Sequence, residues 1–262
     1  MMRALITAGT GMAAQQTNLD VIAQNLANVN SNAFKSQRAE FQDLMYQSLR
    51  ASGSETNGAV RTPQAIQIGL GTRFSGNAVN MSQGGLQATG NPFDIAITGE
   101  GFFEVDMPDG SVGYTRDGAF KRDSDGNMVT SDGFRLRPGI QVPTEATSFS
   151  VSANGNVAVL LPGEEQPTVL GRIQVTIFPN PAGLTRAGQN LYRAGGASGA
   201  GQSVVPGEGG SGALQGGFVE GSNVSIVEEM VRMITAQRAY EVNSKAIQTA
   251  DDMLSTLNQL KR

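Results

Sequence analysis

The feature that most constrains this chain is a pair of heptad stripes, one near each end. At the far end Ile226, Met233, Tyr240, Ile247 and Leu254 recur every seven residues. Ala236, Asn243, Ala250 and Leu257 each fall three further on, and no proline or glycine interrupts residues 225 to 260. A narrow apolar stripe at that spacing predicts one long amphipathic helix facing a partner helix. Ser225 followed by Glu228 fits a capping box, so the helix is expected to start near 225. Some 36 residues at about 1.5 Å each make a rod of roughly 54 Å, longer than a compact domain of this size would hold. It must therefore pack on something outside the domain. Near the start, Leu5, Met12, Leu19 and Leu26 are also spaced by seven, with Ala8, Ile22 and Val29 three after them. Gly9 and Gly11 each weaken this helix by about 1 kcal/mol relative to alanine, while small residues permit close neighbours. Two readings follow: a helix hairpin within one chain, or a subunit whose ends pack against copies of itself. The second is favoured, because a two-helix pair leaves most of each helix surface without a core. Tyr240 reads as a core aromatic, and Asn243 either fixes register at a seam position or faces water.

Between the helices the period changes. Asn25, Asn28, Asn30 and Asn32 favour local side-chain bonds and left-handed turns that end the first helix. Phe34, Phe41, Leu44 and Met45 suggest a short amphipathic piece to about residue 50, and residues 51–70 an extended or hairpin arm. From 72 to 190 apolar residues alternate, punctuated by Asp109-Gly110, Asp117-Gly118, Asp125-Gly126, Asp132-Gly133 and Asn154-Gly155. This predicts strands at 93–98, 102–106, 112–116, 128–130, 134–137, 148–152, 156–161 and 170–178, forming an antiparallel β domain. Phe93, Ile95, Ile97, Phe102, Phe103, Val105, Phe120 and Phe134 are its expected core. Residues 194–217 are glycine-rich and read as an irregular return. The fold class is α+β: long N- and C-terminal helices in a coiled-coil-like stalk, an antiparallel all-β middle domain and an extended connecting arm. The expected division is 1–30, 31–71, 72–193, 194–222 and 223–262.

Composition narrows the function. Nineteen basic against 23 acidic residues give a net charge of −4, with no basic cluster to neutralise phosphates, so nucleic acid is not an expected partner. The charges read as solvated faces. The chain has no cysteine and no histidine, which excludes thiol nucleophiles, cysteine or histidine zinc sites, Ser-His-Asp triads and disulfides. Asp123, Asp125 and Asn127 suggest a calcium loop only superficially, because glycine comes at the fourth place and Phe134 stands where the closing glutamate belongs. Gly99-Glu-Gly101 leads into a strand rather than a helix, so it is no dinucleotide fingerprint. Glu164-Glu165, Glu228-Glu229 and Asp251-Asp252 are adjacent pairs, which point apart on a helix and do not suit paired-carboxylate catalysis. Neither a cofactor nor a small-molecule substrate is expected. No run approaches the length of a membrane span, and a cleaved leader would discard Leu5 and Met12 from their stripe.

Three stretches, in order, resemble the flagellar basal-body rod and hook family. They are LDVIAQNLANVNSNAFK, with Asn25, Asn28, Asn30 and Phe34; the run from Asp94 to Leu136, with Gly99, Gly101, Phe102, Phe103, Tyr114, Thr115, Arg116 and Gly118; and the run from Glu220 to Leu254. Ala33 stands where the family often has glycine. The length leaves no room for the hook protein's additional outer domain, and residues 52–71 resemble an extra stretch of the distal rod branch. The proximal rod branch is the near alternative. A secreted coiled-coil adhesin or binding module, or a secreted β-domain enzyme, are the other classes. The resemblance implies a non-enzymatic subunit of the distal rod, assembling helically into a rigid hollow shaft that passes torque from motor to hook. It implies as partners copies of the chain itself, proximal rod proteins, the hook protein, peptidoglycan and outer-membrane ring proteins as bushings, and the flagellar type III export apparatus. The implied location is the basal body, in a rod crossing the periplasm, reached without a cleaved signal. Together with the restricted backbone of Pro63 and the apolar Ile66, Ile68 and Leu70, it suggests that the arm fills a groove between subunits and stiffens the shaft.

Overall fold

A computed structural model describes residues 2–50, 64–163 and 166–260. The described residues form two α-helices, α1 (Met2–Ala27) and α2 (Ile226–Leu260), with a mostly antiparallel β region between them in sequence. It divides into two compact units. One comprises Met1–Ala27, Gln37–Ala78 and Ser225–Arg262; the other comprises Asn28–Ser36 and Val79–Val224.

In the helical unit α1 and α2 run antiparallel. Gly11 of α1 lies so close to α2 that a Cβ there would sit 3.0 Å from the Asn243 amide nitrogen. Further along α1, Asn18, Val21 and Ile22 share a groove with Glu229, Arg232 and Thr235. α2 starts at Ile226, and the Glu229 N–H donates to the Ser225 carbonyl at 3.0 Å, the first turn of the ladder. Residues 34–50, expected as an amphipathic piece, contain the strands Gln37–Asp43 and Tyr46–Arg50. The first pairs with Thr72–Val79, and the second pairs antiparallel with Ile66–Gly69 to make the base of a hairpin. Residues 52–63 of the arm, Pro63 among them, lie outside the described residues.

The β unit is built on a seven-stranded antiparallel sheet in the order Thr185–Gly188, Leu191–Arg193, Val112–Thr115, Phe103–Asp106, Arg135–Arg137, Met128–Val129 and Lys121–Arg122. A three-stranded antiparallel sheet (Ser148–Val151, Asn156–Leu160, Thr168–Arg172) supplies Phe149, Val157 and Val159 to the same core as Ile95, Ile97, Phe103, Phe120, Met128 and Leu136. A second cluster gathers Phe102, Phe178, Leu184 and Tyr192. Phe134 is only half-buried: it stands just before the strand Arg135–Arg137, whose inward residue is Leu136.

The expected strand 170–178 is two strands. Thr168–Arg172 stays with the three-stranded sheet, the Ile173 N–H turns to the Gly155 carbonyl at 2.8 Å, and Val175–Ile177 then pairs with Gln202–Val204. That partner lies in the glycine-rich return, as does Ala213–Gly216, which pairs with Ile95–Thr98. Backbone ladders need no side chains, so glycine-rich strands carry no alternation from which they could be read.

Ala33 sits at φ 52, in the left-handed region, with its N–H on the Glu220 carbonyl at 2.8 Å. A residue with a Cβ is strained there by roughly 1–2 kcal/mol, and β-branching adds to it. Ala33→Gly should therefore change stability by no more than about 1 kcal/mol, while Ala33→Val should cost more than about 2 kcal/mol in urea unfolding. A valine variant as stable as the parent would contradict the left-handed assignment.

Candidate functional site

Two arrangements carry the functional geometry, and each lies within one unit. In the β unit the Glu220 carboxylate is wholly buried and is the centre of a clasp. Its Oε1 accepts from Lys35 Nζ at 2.5 Å and from the Gly84 N–H at 2.9 Å, and its Oε2 accepts from Arg116 Nε at 2.8 Å. Lys35 also donates to the Ser82 carbonyl at 2.7 Å, and the Arg116 fork reaches the Gly101 and Gly99 carbonyls at 3.1 and 2.9 Å. Lys35, Glu220 and Arg116 are 0%, 1% and 5% exposed. Burial, and then the Arg116 guanidinium, pull the Lys35 ammonium below the usual lysine value, against the opposing pull of Glu220. Gly101 has φ 132, and a Cβ on it would lie 2.0 Å from Val175 Cγ1. Gly118 is not left-handed; a Cβ there would meet the Ile95 carbonyl at 1.8 Å, so close approach of backbone to backbone requires the glycine.

Beside the clasp, Arg186 donates to the Lys35 carbonyl at 2.6 Å and lies 5.0 Å over the Phe34 ring. Asn223 accepts from the Ser36 N–H at 2.7 Å and donates to the Asn80 and Ser82 carbonyls at 2.9 and 3.0 Å. The Thr115 hydroxyl donates to the Asn190 carbonyl at 2.9 Å, Phe103 stands edge-on to Phe120, and Phe102 and Tyr114 both stand edge-on to Phe178. The motif residues are thus structural joints. Lys35 and Glu220, the two charges that complete the clasp, are buried rather than solvated, as are Asp94, Arg116 and Glu229 among the described residues. Asp123 accepts from the Asp125 and Asn127 N–H groups at 2.9 and 2.7 Å, which makes it the anchor of a turn. The side-chain bond from Asn127 is the main influence holding its carboxyl below the usual range.

The second arrangement is in the helical unit. Asn25 is buried in the last turns of α1 and grips the next strand as a ladder partner would: its amide donates to the Gln37 carbonyl at 2.7 Å and accepts the Gln37 N–H at 2.9 Å. Beyond the helix, in the Asn28–Ser36 segment of the β unit, Asn28 accepts from the Ser31 hydroxyl at 3.1 Å, and Asn30 is exposed. Between the helices Ala8, Val21, Ile22, Ala236 and Ala250 are buried, and Leu5, Met12, Leu19, Leu26, Met233, Asn243, Ile247 and Leu254 are half-buried. Ile226 and Tyr240 remain 44% and 40% exposed, and the Leu257 side chain is outside what is described. Away from α1, α2 exposes Val227, Val231, Ile234 and Val242. The hairpin base exposes Tyr46, Leu49, Ile66, Ile68 and Leu70.

Three family profiles match in chain order: flagella basal body rod protein at residues 5–35, flagellar hook protein FlgE/F/G D1 domain at 96–159, and flagellar basal body rod FlgEFG protein C-terminal at 215–260. The chain is 47% identical over 266 residues to flagellar basal-body rod protein FlgG of Borreliella burgdorferi, covering all of both chains. It is 44% identical over 260 residues to the protein of that name from Buchnera aphidicola, covering 99% of this chain and all of the relative. The chain belongs to the flagellar basal-body rod protein family. It is a structural protein of the basal-body rod and not an enzyme. Within one organism, Bacillus subtilis, it is 41% identical to rod protein FlgG and 30% to hook-basal body complex protein FlhP, each over the whole chain. The rod-family motifs at Phe34-Lys35, Gly99 to Arg116 and Glu220 are the segments that meet in the clasp.

Arg116 makes three directed bonds from one planar group, a geometry that lysine cannot reproduce. Arg116→Lys should lower unfolding stability by about 2–4 kcal/mol despite keeping the charge. Thermal and urea melts of the variant within about 0.5 kcal/mol of the parent would show that the fork is dispensable.

Proposed function

We propose that the chain is a distal rod subunit that packs helically with copies of itself into a hollow, stiff shaft, with α1 and α2 in a coiled-coil-like stalk lining the inside and the β unit outside. The observation that carries this reading is the apolar face of α2. Val227, Val231, Ile234 and Val242 are 73%, 57%, 57% and 66% exposed on a helix whose other side already contacts α1. Apolar area of that extent gains roughly 25 cal/mol per Å² when covered, and in a rod the covering surface is another copy. The seam is thin, with alanines at 8, 14, 236 and 250 and an amide at 243, so the pair gains its remaining stability from neighbours. The expected division at 30, 71, 193 and 222 follows the same plan, from stalk to arm to outer domain and back.

The partners proposed beyond the chain itself are the proximal rod proteins below, the hook protein above, peptidoglycan and outer-membrane rings as bushings, and the type III apparatus that exports the chain without a cleaved signal into the periplasm. Among the described residues no helix is long and apolar enough to cross a membrane. The arm, with Ile66, Ile68 and Leu70 along its paired base and Pro63 beyond, is proposed to seat between neighbouring subunits and resist sliding, because packed interfaces yield in discrete steps rather than continuously.

Val231→Glu and Ile234→Glu should leave the monomer's melting temperature within a few degrees, since both sites are exposed, yet reduce rods in isolated basal bodies and motility by at least about ten-fold. Normal rods from both variants would refute the α2 face as an assembly surface. Deleting residues 54–68 should preserve secretion while giving curved or missing rods; straight, normally stiff rods would remove the arm's role.

A further inference from the structure

The strands Gln37–Asp43 and Tyr46–Arg50, with their partners Thr72–Val79 and Ile66–Gly69, are two lengths of one ribbon. Both sides leave the ladder at the same level, at residues 44–45 and 70–71, yet the Leu44 N–H still donates to the Gly71 carbonyl at 2.8 Å. The ribbon is interrupted there without coming apart. Its two lengths differ in setting. In the first, Gln37 and Ala39 are buried, and Asn25 of α1 bonds both backbone groups of Gln37. In the second no residue is buried, so neither face is covered.

The interruption sits on α1. Gly71 has φ 114, and a Cβ there would overlap Thr10 Oγ1, so glycine is required by backbone conformation and by space at once. Thr10 is itself held. Its hydroxyl donates to the Thr7 carbonyl at 2.8 Å, which fixes its rotamer, and the Thr72 N–H approaches the same oxygen at 3.4 Å. The next residue, Gly11, lies against Asn243 of α2, so this turn of α1 is held by the second helix as well.

We propose that Thr10 and Gly71 are positioning residues that set the direction in which the arm leaves the helical unit. They hold the hairpin base at 46–50 and 66–69 at one angle to α1 before it meets any neighbour. Glycine alone would make a loose joint, and the threonine against it supplies the stop. An arm oriented in advance loses little further freedom when it seats, which is how preorganisation raises affinity. What the arm then meets rests on the rod reading above; the angle belongs to the single chain.

The chain has no cysteine, so two introduced thiols carry spin labels without background. Gln16 is exposed on α1 and Ser48 on the hairpin base. Pulsed electron-electron distance measurements on the purified full-length Gln16→Cys/Ser48→Cys chain should give one narrow distribution. Adding Thr10→Ala should widen it at least about two-fold with melting within a few degrees, because alanine favours the helix, while Thr10→Ser should keep the parental width. Gly71→Ala should move the centre beyond the parental width, and Gly90→Ala, at a left-handed glycine with open space around it, should not. A parent distribution as broad as that of Thr10→Ala, or Thr10→Ala and Gly71→Ala distributions that match the parent, would overturn the joint. Gly71→Ala as the sole copy in cells should also reduce rods in isolated basal bodies about ten-fold. Normal rods from a chain whose arm is displaced would leave the joint standing and remove the arm's packing role.

Discussion

A carboxylate fully removed from water is stable only if donors replace the water, and Glu220 has three, from segments far apart in sequence. Lys35, Gly84 and Arg116 converge on its two oxygens, and Arg116 carries the network on to the Gly99 and Gly101 carbonyls. Losing one partner of such a group leaves an uncompensated buried charge, a penalty of about 3–5 kcal/mol. That steep penalty makes the clasp a specificity device more than a source of net stability. The segments that follow α1 and precede α2 can settle in the β unit in one arrangement only, the one in which Lys35 and Glu220 meet.

Two carboxylates illustrate complementary uses of burial. Glu220 takes its three donors from within its own unit and closes the fold. Glu229 is bonded at one oxygen, to Arg232, in a helical unit whose seam is thin and whose opposite face on α2 is apolar and exposed. On the rod reading proposed above, a subunit with a finished β unit and an unfinished helical unit completes its packing among copies of itself, as an axial structure with no catalytic work to do requires.

Much of this was legible in the sequence. Seven-residue spacing located both helices, including the start of α2 at Ile226, and alternation with Asp-Gly punctuation located the central strands. What stayed hidden has physical causes. Short strands such as Phe218–Glu220 and the glycine-rich Ala213–Gly216 are defined by backbone pairing and have no periodic side chains. Lys35 and Glu220 look like surface charges because a single charge carries no mark of its partner 185 positions away. Ile226 and Tyr240 keep their heptad spacing yet are exposed in the single chain, where the inward face of α2 passes through Glu229, Ala236 and Asn243.

The central claim is that Glu220 locks the entry and return segments as one cooperative joint. Native-state amide hydrogen exchange on Glu220→Gln tests it most directly. Protection should fall together at Ala33, Asn80, Gly84, Gly221 and Asn223, whose N–H groups bond across that joint, while the Phe103–Asp106 and Val112–Thr115 strands keep theirs. Loss confined to the Gly84 amide, or an equal loss across the whole seven-stranded sheet, would contradict it.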